Sequence, residues 1–93
     1  MILILGGTSE SREAAILCAR QNYPVLYTST TDIMDEIPQT VERWIGLLSS
    51  DIFRNLIRHR CISCVIDATH PFAVEISQQA MDVCNQTNIP YLR

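Results

Sequence analysis

Short apolar runs divide the chain at regular intervals. Residues 2–5, 25–28 and 64–66 are apolar or β-branched, and they do not alternate with polar residues. Such runs are typical of strands covered on both faces, as in a parallel sheet. Residues 89–92 predict a fourth strand, and residues 41–45 predict a short extended piece before a glycine.

Three stretches between these runs have the apolar spacing of amphipathic helices. The first helix is predicted to begin with Thr8 or Ser9 as its cap and to end near residue 22. The second is predicted to begin at Ser49 or Ser50 and to end near residue 60. The third covers residues 73–87. The predicted inner faces are Ala14, Leu17 and Cys18, then Phe53, Leu56 and Ile57, and then Ala73, Ser77, Ala80 and Cys84.

This alternation of strand and helix predicts an α/β fold: a Rossmann-like three-layer domain with a parallel sheet of at least four strands. Residues 31–40 are polar and acidic, and we interpret them as a loop. The sequence stops on the last predicted strand without a closing helix. We therefore expect residues 1–93 to be one lobe at the front of a longer protein.

The composition limits the number of domains and the classes of partner, but it does not identify a function. The 93 residues suffice for one domain, and 47% hydrophobic content suffices for a core. A net charge of −3, with seven scattered Lys and Arg residues, argues against nucleic-acid binding. The first apolar run is too short to span a membrane and has no basic lead, so we expect a cytoplasmic protein without membrane contact.

The four cysteines are then expected to be reduced thiols. Cys61 and Cys64 have the C-x-x-C spacing, but no second pair completes a zinc site. We interpret these cysteines as small buried hydrophobic residues rather than as metal ligands.

The first candidate site is the turn made by Gly6, Gly7, Thr8, Ser9 and Glu10. It joins a predicted strand to a predicted helix, whose free N–H groups and positive dipole end attract a phosphate. The formal G-x-G-x-x-G pattern is not met, since a threonine and a serine replace its second and third glycines. The turn therefore predicts a dinucleotide diphosphate site, or alternatively a purely structural glycine turn capped by Thr8.

The end of the second predicted strand bears on the choice of cofactor. A carboxylate at this place would bond a ribose 2′-hydroxyl and repel a 2′-phosphate. The chain has hydroxyl residues there, including Ser29 and Thr30, and Asp32 stands just beyond. This favours NADP(H) over NAD(H) as the cofactor.

The second candidate site is the loop after the third predicted strand, which contains Thr69, His70, Pro71 and Phe72. His70 is the candidate catalytic residue: its imidazole could bond a phosphate, a nicotinamide amide or a substrate carboxylate, or carry a proton. Alternatively, His70 holds the loop through a backbone hydrogen bond. Thr69 either contacts a ligand or caps the next helix, and Asp67 is expected to bond backbone amides of the loop.

The sequence resembles the precorrin-6A reductase family of cobalamin biosynthesis. The matching segments are residues 4–10, residues 65–73 with the string Asp-Ala-Thr-His-Pro-Phe-Ala, and residues 89–93. The resemblance implies reduction by NADPH of one double bond in the precorrin-6A macrocycle or in its cobalt-containing counterpart. It also implies that residues 6–10 hold the pyrophosphate, Ser29 and Thr30 the ribose phosphate, and residues 69–72 border the nicotinamide and the tetrapyrrole.

Two other functions fit the same alternation of elements. A non-catalytic nucleotide-binding module would keep the glycine turn and lack the substrate lobe. A receiver-like signalling domain would need an acidic pair after the first strand to bind magnesium, and Gly6 and Gly7 stand there instead. The first alternative stays open, and the second is disfavoured.

Overall fold

The computed structural model describes residues 1–31 and 37–93. Within these residues, strands and helices follow the order that the apolar pattern predicts, with two strands in succession after the first helix and alternation elsewhere. The elements are β1 (Ile2–Leu5), α1 (Ser9–Arg20), β2 (Val25–Ser29), β3 (Glu42–Ile45), α2 (Ser50–His59), β4 (Cys64–Asp67), α3 (Val74–Thr87) and β5 (Tyr91–Leu92).

The strands form one parallel sheet in the order β3-β2-β1-β4-β5. The predicted parallel α/β architecture is confirmed, and the extended piece at residues 41–45 is an additional strand, β3. β2 and then β3 are added on one side of β1, and the chain then crosses over so that β4 and β5 are added on the other side. Open α/β sheets bind ligands beside such a switch point, at the carboxyl ends of the strands.

The register brings the ends of three strands together. Leu5, the last residue of β1, pairs with Thr28 of β2 and with Asp67 of β4. The loops that follow β1, β2 and β4 therefore leave the same edge of the sheet, side by side.

Helices cover both faces of the sheet, which gives the predicted three layers. On one face α1 packs over β1 and β2, and the buried core there contains Ile4, Ala15, Val25 and Tyr27. On the other face α2 and α3 pack over Leu3, Leu26 and Val65, and Phe53 of α2 is part of this core. The predicted inner face of α2 is confirmed, since Phe53, Leu56 and Ile57 are all buried.

The inner face of α1 differs from the prediction. Leu17 is 60% exposed, whereas Ser11 and Ala15 are the buried residues of this helix. The small residues of α1 therefore face the sheet, where their short side chains allow close approach, and Ser11 Oγ lies 2.7 Å from the Tyr27 hydroxyl of β2. Ala14 and Cys18 pack at the margin of this core, as predicted.

The cysteines are only partly the buried residues that were expected. Cys84 is buried, and Cys18 and Cys64 are half-buried, but Cys61 is exposed after α2. Burial raises the pKa of the Cys18 and Cys84 thiols, so both remain protonated packing residues.

Part of the predicted loop at residues 31–40, including Asp32, lies outside the described residues. No helix in the described part of the chain has the length and apolar content needed to cross a membrane.

Candidate functional site

A cavity of about 590 Å³ opens at the carboxyl edge of the sheet. Most of the predicted site residues line it, and they come from three separate loops. These residues are Gly6, Gly7 and Thr8 after β1, Ser29 and Thr30 at the end of β2, and Thr69, His70 and Phe72 after β4. The fold thus places both candidate sites on one cavity.

Three predicted site residues do not line this cavity. Ser9 and Glu10 are exposed at the start of α1, and the Ser9 hydroxyl lies 3.4 Å from the Glu10 carboxylate. Pro71 is also exposed, at the outer side of the β4–α3 loop.

One wall of the cavity was missed by the sequence prediction. Gly46, Leu47 and Leu48, between β3 and α2, line the cavity, as do Ile76 and Gln79 of α3. Gly46 has φ +141°, and Leu47 is 80% exposed at the rim. The extended piece before Gly46, which is β3, was the signal in the sequence that could have identified this wall. The loop after a parallel strand must leave the same edge of the sheet as the other loops.

Gly6 is required by a side chain beneath it rather than by a ligand above it. A Cβ atom on Gly6 would lie 2.2 Å from Tyr27 Cζ and 2.7 Å from the Thr28 carbonyl oxygen. Tyr27 is 1% exposed, and its ring extends from β2 under the glycine turn. Only glycine allows this close approach.

Gly7 is required by its backbone conformation. Its φ is +109°, and a Cβ atom there would meet nothing within 4 Å. The space outside Gly7 is open to the cavity, and the backbone conformation disfavours other residues.

The N–H groups of the turn are largely used within the protein. Gly6 donates to the Thr28 carbonyl at 2.8 Å, Gly7 donates to the Tyr27 hydroxyl at 3.0 Å, and Thr8 donates to Ser11 Oγ at 3.0 Å. The amides of Gly6, Gly7 and Thr8 are therefore not among the free N–H groups that the sequence predicts at this helix start. Within the described residues, the Ser9 and Glu10 amides have no hydrogen-bond acceptor, and they are the donors left at this helix end.

Thr8 caps α1 and joins the two candidate sites. Its hydroxyl accepts the Ser11 amide at 3.1 Å and donates to the Ala68 carbonyl at 2.5 Å. The cap was predicted from sequence. The bond to Ala68 holds the glycine turn directly against the loop after β4.

The hydroxyl residues after β2 have different environments. Ser29 is 9% exposed, and its hydroxyl donates to the Thr31 carbonyl at 2.5 Å. Thr30 is exposed. Of the two predicted ribose-phosphate ligands, Thr30 presents its side chain to solvent, and Ser29 shapes the turn.

His70 has the loop-holding role that the sequence offered, and it also lines the cavity. Its Nδ1 atom accepts the Phe72 amide at 3.3 Å, so the imidazole holds the loop. His70 is nevertheless exposed and lines the cavity, and its ring stacks obliquely on Phe72 with centroids 5.1 Å apart. Because Nδ1 accepts a proton-bearing amide, the neutral ring carries its proton on Nε2.

Asp67 anchors the loop after β4 from below. Its side chain is fully buried and accepts hydrogen bonds from the Thr69 amide at 3.1 Å, from the Thr69 hydroxyl at 2.6 Å and from the Ser77 hydroxyl at 2.6 Å. Tyr91 and Arg93 also donate to it. Burial acts to raise the pKa of Asp67, but these donors outweigh burial and lower it.

This arrangement confirms that Asp67 bonds a backbone amide of its loop. Thr69 supports the loop through Asp67, whereas α3 begins at Val74 and its N-cap residue, Ala73, makes no side-chain cap. Burial, and then the adjacent Asp67 carboxylate, raise the pKa of Tyr91, which stays a neutral donor. No group of three or more His, Cys, Asp or Glu side chains suited to a metal ion occurs in the described residues.

The chain is similar to proteins of one family along its whole length. A family model described as precorrin-6x reductase CbiJ/CobK matches residues 1–93. A cobalt-precorrin-6A reductase of Priestia megaterium is 35% identical over 95 residues, which cover 100% of this chain and 37% of that protein. A cobalt-precorrin-6A reductase of Methanocaldococcus jannaschii is 34% identical and is matched over 38% of its length.

Solved structures give the same relationship. The structure titled CobK precorrin-6A reductase superposes with a TM-score of 0.84 at 30% identity, covering 97% of this chain and 36% of that one. A UDP-glucose 4-epimerase superposes with a TM-score of 0.78 at 16% identity, which shows the Rossmann-like fold alone. The chain spans little more than a third of the length of these relatives. By its full-length match to the family model, this chain belongs to the precorrin-6x reductase CbiJ/CobK family.

Proposed function

We propose that residues 1–93 form the NADP-binding lobe of a precorrin-6A or cobalt-precorrin-6A reductase, which reduces one double bond of the macrocycle in cobalamin biosynthesis. The observation that carries this proposal is the shared cavity. The glycine turn, the hydroxyl residues after β2 and the loop after β4 all line it, and the chain belongs to a reductase family. Such an enzyme would act in the cytoplasm, where its thiols stay reduced.

The residues present fit a dinucleotide. The diphosphate would lie in the open space outside Gly7, which lines the cavity, and would accept from the Ser9 and Glu10 amides at the start of α1, just outside the cavity lining. The Glu10 carboxylate lies in the first helical turn and is exposed, so it can turn toward solvent. The reduced nicotinamide would supply the hydride, and the protein would orient it and exclude water.

The end of β2 supports a preference for NADP(H). Among the described residues at that position, neither Ser29 nor Thr30 carries a carboxylate, and Thr30 has an exposed hydroxyl group, whereas the Ser29 hydroxyl donates to the Thr31 carbonyl. A hydroxyl can donate to a 2′-phosphate, whereas a carboxylate would repel it.

The rim of the cavity suits a large, partly apolar substrate such as a tetrapyrrole. Phe72 is 86% exposed, Leu47 is 80% exposed and Val74 is 67% exposed, and all three line the cavity. His70 stands among them with Nε2 available as a donor to a substrate carboxylate. A second lobe, corresponding to the remaining length of the relatives, would close over this rim and complete the substrate site.

Titration calorimetry with NADPH and NADH tests the cofactor assignment. We expect NADPH to bind at least about tenfold more tightly than NADH. Gly7→Asp should abolish binding, because its carboxylate would stand against the diphosphate. Gly7→Asn is the matched control, since it carries a similar side chain on the same backbone without the charge, and it should retain part of the affinity. Folded wild-type protein that gives no heat with either cofactor would refute the proposal.

A non-catalytic nucleotide-binding module is the second candidate. It rests on the same glycine turn and cavity, and it requires no residues of a substrate lobe. Both candidates predict cofactor binding, and they differ in whether turnover appears when the remaining lobe is supplied.

A further inference from the structure

We propose that Tyr27 is a positioning residue for the diphosphate-binding turn. This inference rests on the proposed function and adds to it the group that sets the turn's shape. Tyr27 belongs to β2, and its ring is buried between the sheet and α1. Its hydroxyl reaches the inner side of the turn, and Tyr27 is not among the described residues that line the cavity at the edge of the sheet.

The hydroxyl of Tyr27 forms the middle of a chain of hydrogen bonds. It accepts the Gly7 amide at 3.0 Å and lies 2.7 Å from Ser11 Oγ. Ser11 Oγ donates its own proton to the Thr8 carbonyl at 2.6 Å, so the Tyr27 hydroxyl must be the donor to Ser11. The bonds therefore run in one direction, from Gly7 N–H through Tyr27 and Ser11 to Thr8, and each polarises the next.

This chain determines which amides face the ligand. With Gly7 N–H directed inward to Tyr27 and Thr8 N–H directed inward to Ser11, the outward donors are those of Ser9 and Glu10. The positive φ of Gly7 is the backbone conformation that allows this inward turn. The same packing explains Gly6, whose hydrogen atom is all that fits against the Tyr27 ring.

Removing the hydroxyl should loosen the turn while leaving the core packed. In Tyr27→Phe the ring remains, but the Gly7 amide loses its acceptor and can rotate toward the cavity. We expect NADPH to bind about tenfold more weakly, the usual effect of one lost hydrogen bond. Tyr23→Phe is the matched control, because Tyr23 is 58% exposed beyond α1 and loses the same atom.

The experiment measures NADPH affinity by calorimetry and amide hydrogen exchange by NMR in wild type, Tyr27→Phe and Tyr23→Phe. A positioning role predicts faster exchange at Gly7, unchanged protection of Leu3 and Leu26 in the central strands, and the tenfold loss of affinity in Tyr27→Phe alone. Equal affinity in wild type and Tyr27→Phe overturns the inference, as does a loss of affinity that accompanies a uniform loss of core protection. Folded wild type that binds neither NADPH nor NADH overturns the proposed function itself, and the inference falls with it.

Discussion

Two adjacent glycines at the turn serve unrelated purposes. Gly6 makes room for the Tyr27 ring and the Thr28 carbonyl, whereas Gly7 adopts a φ of +109° over open space. Neither amide is free for a ligand, because both donate within the protein. A glycine-rich turn can therefore have the sequence of a phosphate-binding loop although its glycines are required for close packing and for a positive φ angle.

The two glycines should respond differently to alanine. Gly6→Ala should lower the free energy of unfolding by about 3 kcal/mol, because its Cβ would overlap a buried ring and a strand carbonyl. Gly7→Ala should cost only about 1–2 kcal/mol of backbone strain. Urea denaturation followed by circular dichroism measures both. Equal losses, or a larger loss for Gly7→Ala, would contradict the assignment.

Asp67 should make stability depend on acid pH. Its pKa in the folded protein is lowered, so its contribution is present above the pKa of the unfolded chain and is lost as the pH falls through the lower, folded value. Asp67→Asn should cost about 2–4 kcal/mol at neutral pH, because several donors lose a buried charged acceptor. The variant should also lose less further stability than wild type between roughly pH 5 and pH 2.

Asp51→Asn is the matched control for this prediction. Asp51 has a 92% exposed side chain and pairs with Arg54 on the surface of α2. Its replacement should leave the unfolding free energy nearly unchanged. A pH dependence in Asp67→Asn that parallels wild type would show that another group controls acid unfolding.

At the scale of elements, the helices differ in how they begin. Thr8 caps α1 with a reciprocal capping box, and Ser49 caps α2 by accepting the Ile52 amide at 3.2 Å. α3 begins at Val74, its N-cap residue Ala73 makes no side-chain cap, and its first turn lines the cavity. Caps are local in sequence, which is why Thr8 and Ser49 were predictable.

Ser49→Ala should destabilise the protein by about 1 kcal/mol, since α2 loses the acceptor for its first turn. Ser9→Ala is a suitable comparison, because the Ser9 hydroxyl contacts only the exposed Glu10 carboxylate, at 3.4 Å, and should change stability little. Thermal unfolding of both variants tests the difference. A loss in Ser9→Ala as large as that in Ser49→Ala would argue against Ser49 as the cap.

At the scale of the whole molecule, the cavity has an exposed apolar rim at the carboxyl edge of the sheet. This chain covers 37–38% of the length of the two cobalt-precorrin-6A reductases. We therefore expect residues 1–93 to bind NADPH and to show no turnover of cobalt-precorrin-6A alone. Adding the remaining lobe of the Priestia megaterium relative should restore NADPH oxidation. The measurement is the loss of the reduced cofactor's own absorbance over time.

The controls for this complementation are the remaining lobe of the relative without residues 1–93, and buffer without either protein. Turnover by residues 1–93 without the second lobe would show that the described cavity already contains the complete substrate site. Cofactor binding with no turnover in the mixture would favour the non-catalytic module.

The sequence by itself determined what depends on neighbouring residues. Continuous apolar runs predict parallel strands, helical spacing predicts α2 and α3, and hydroxyl residues predict the caps. Two loops, one with paired glycines and one with His70, were identified in the same way. These features follow from backbone preferences and short-range periodicity, which act within a few positions of the chain.

Only the tertiary structure decided how the loops are used. Tyr27 lies 20 positions from Gly7, and its hydroxyl, not a ligand, takes the glycine amide. Thr8 reaches across 60 positions to Ala68, and Leu47 joins the rim only because β3 pairs with β2. Hydrogen bonds and contacts between distant segments depend on strand order and register, and these are properties of the packed sheet that no short window of sequence contains.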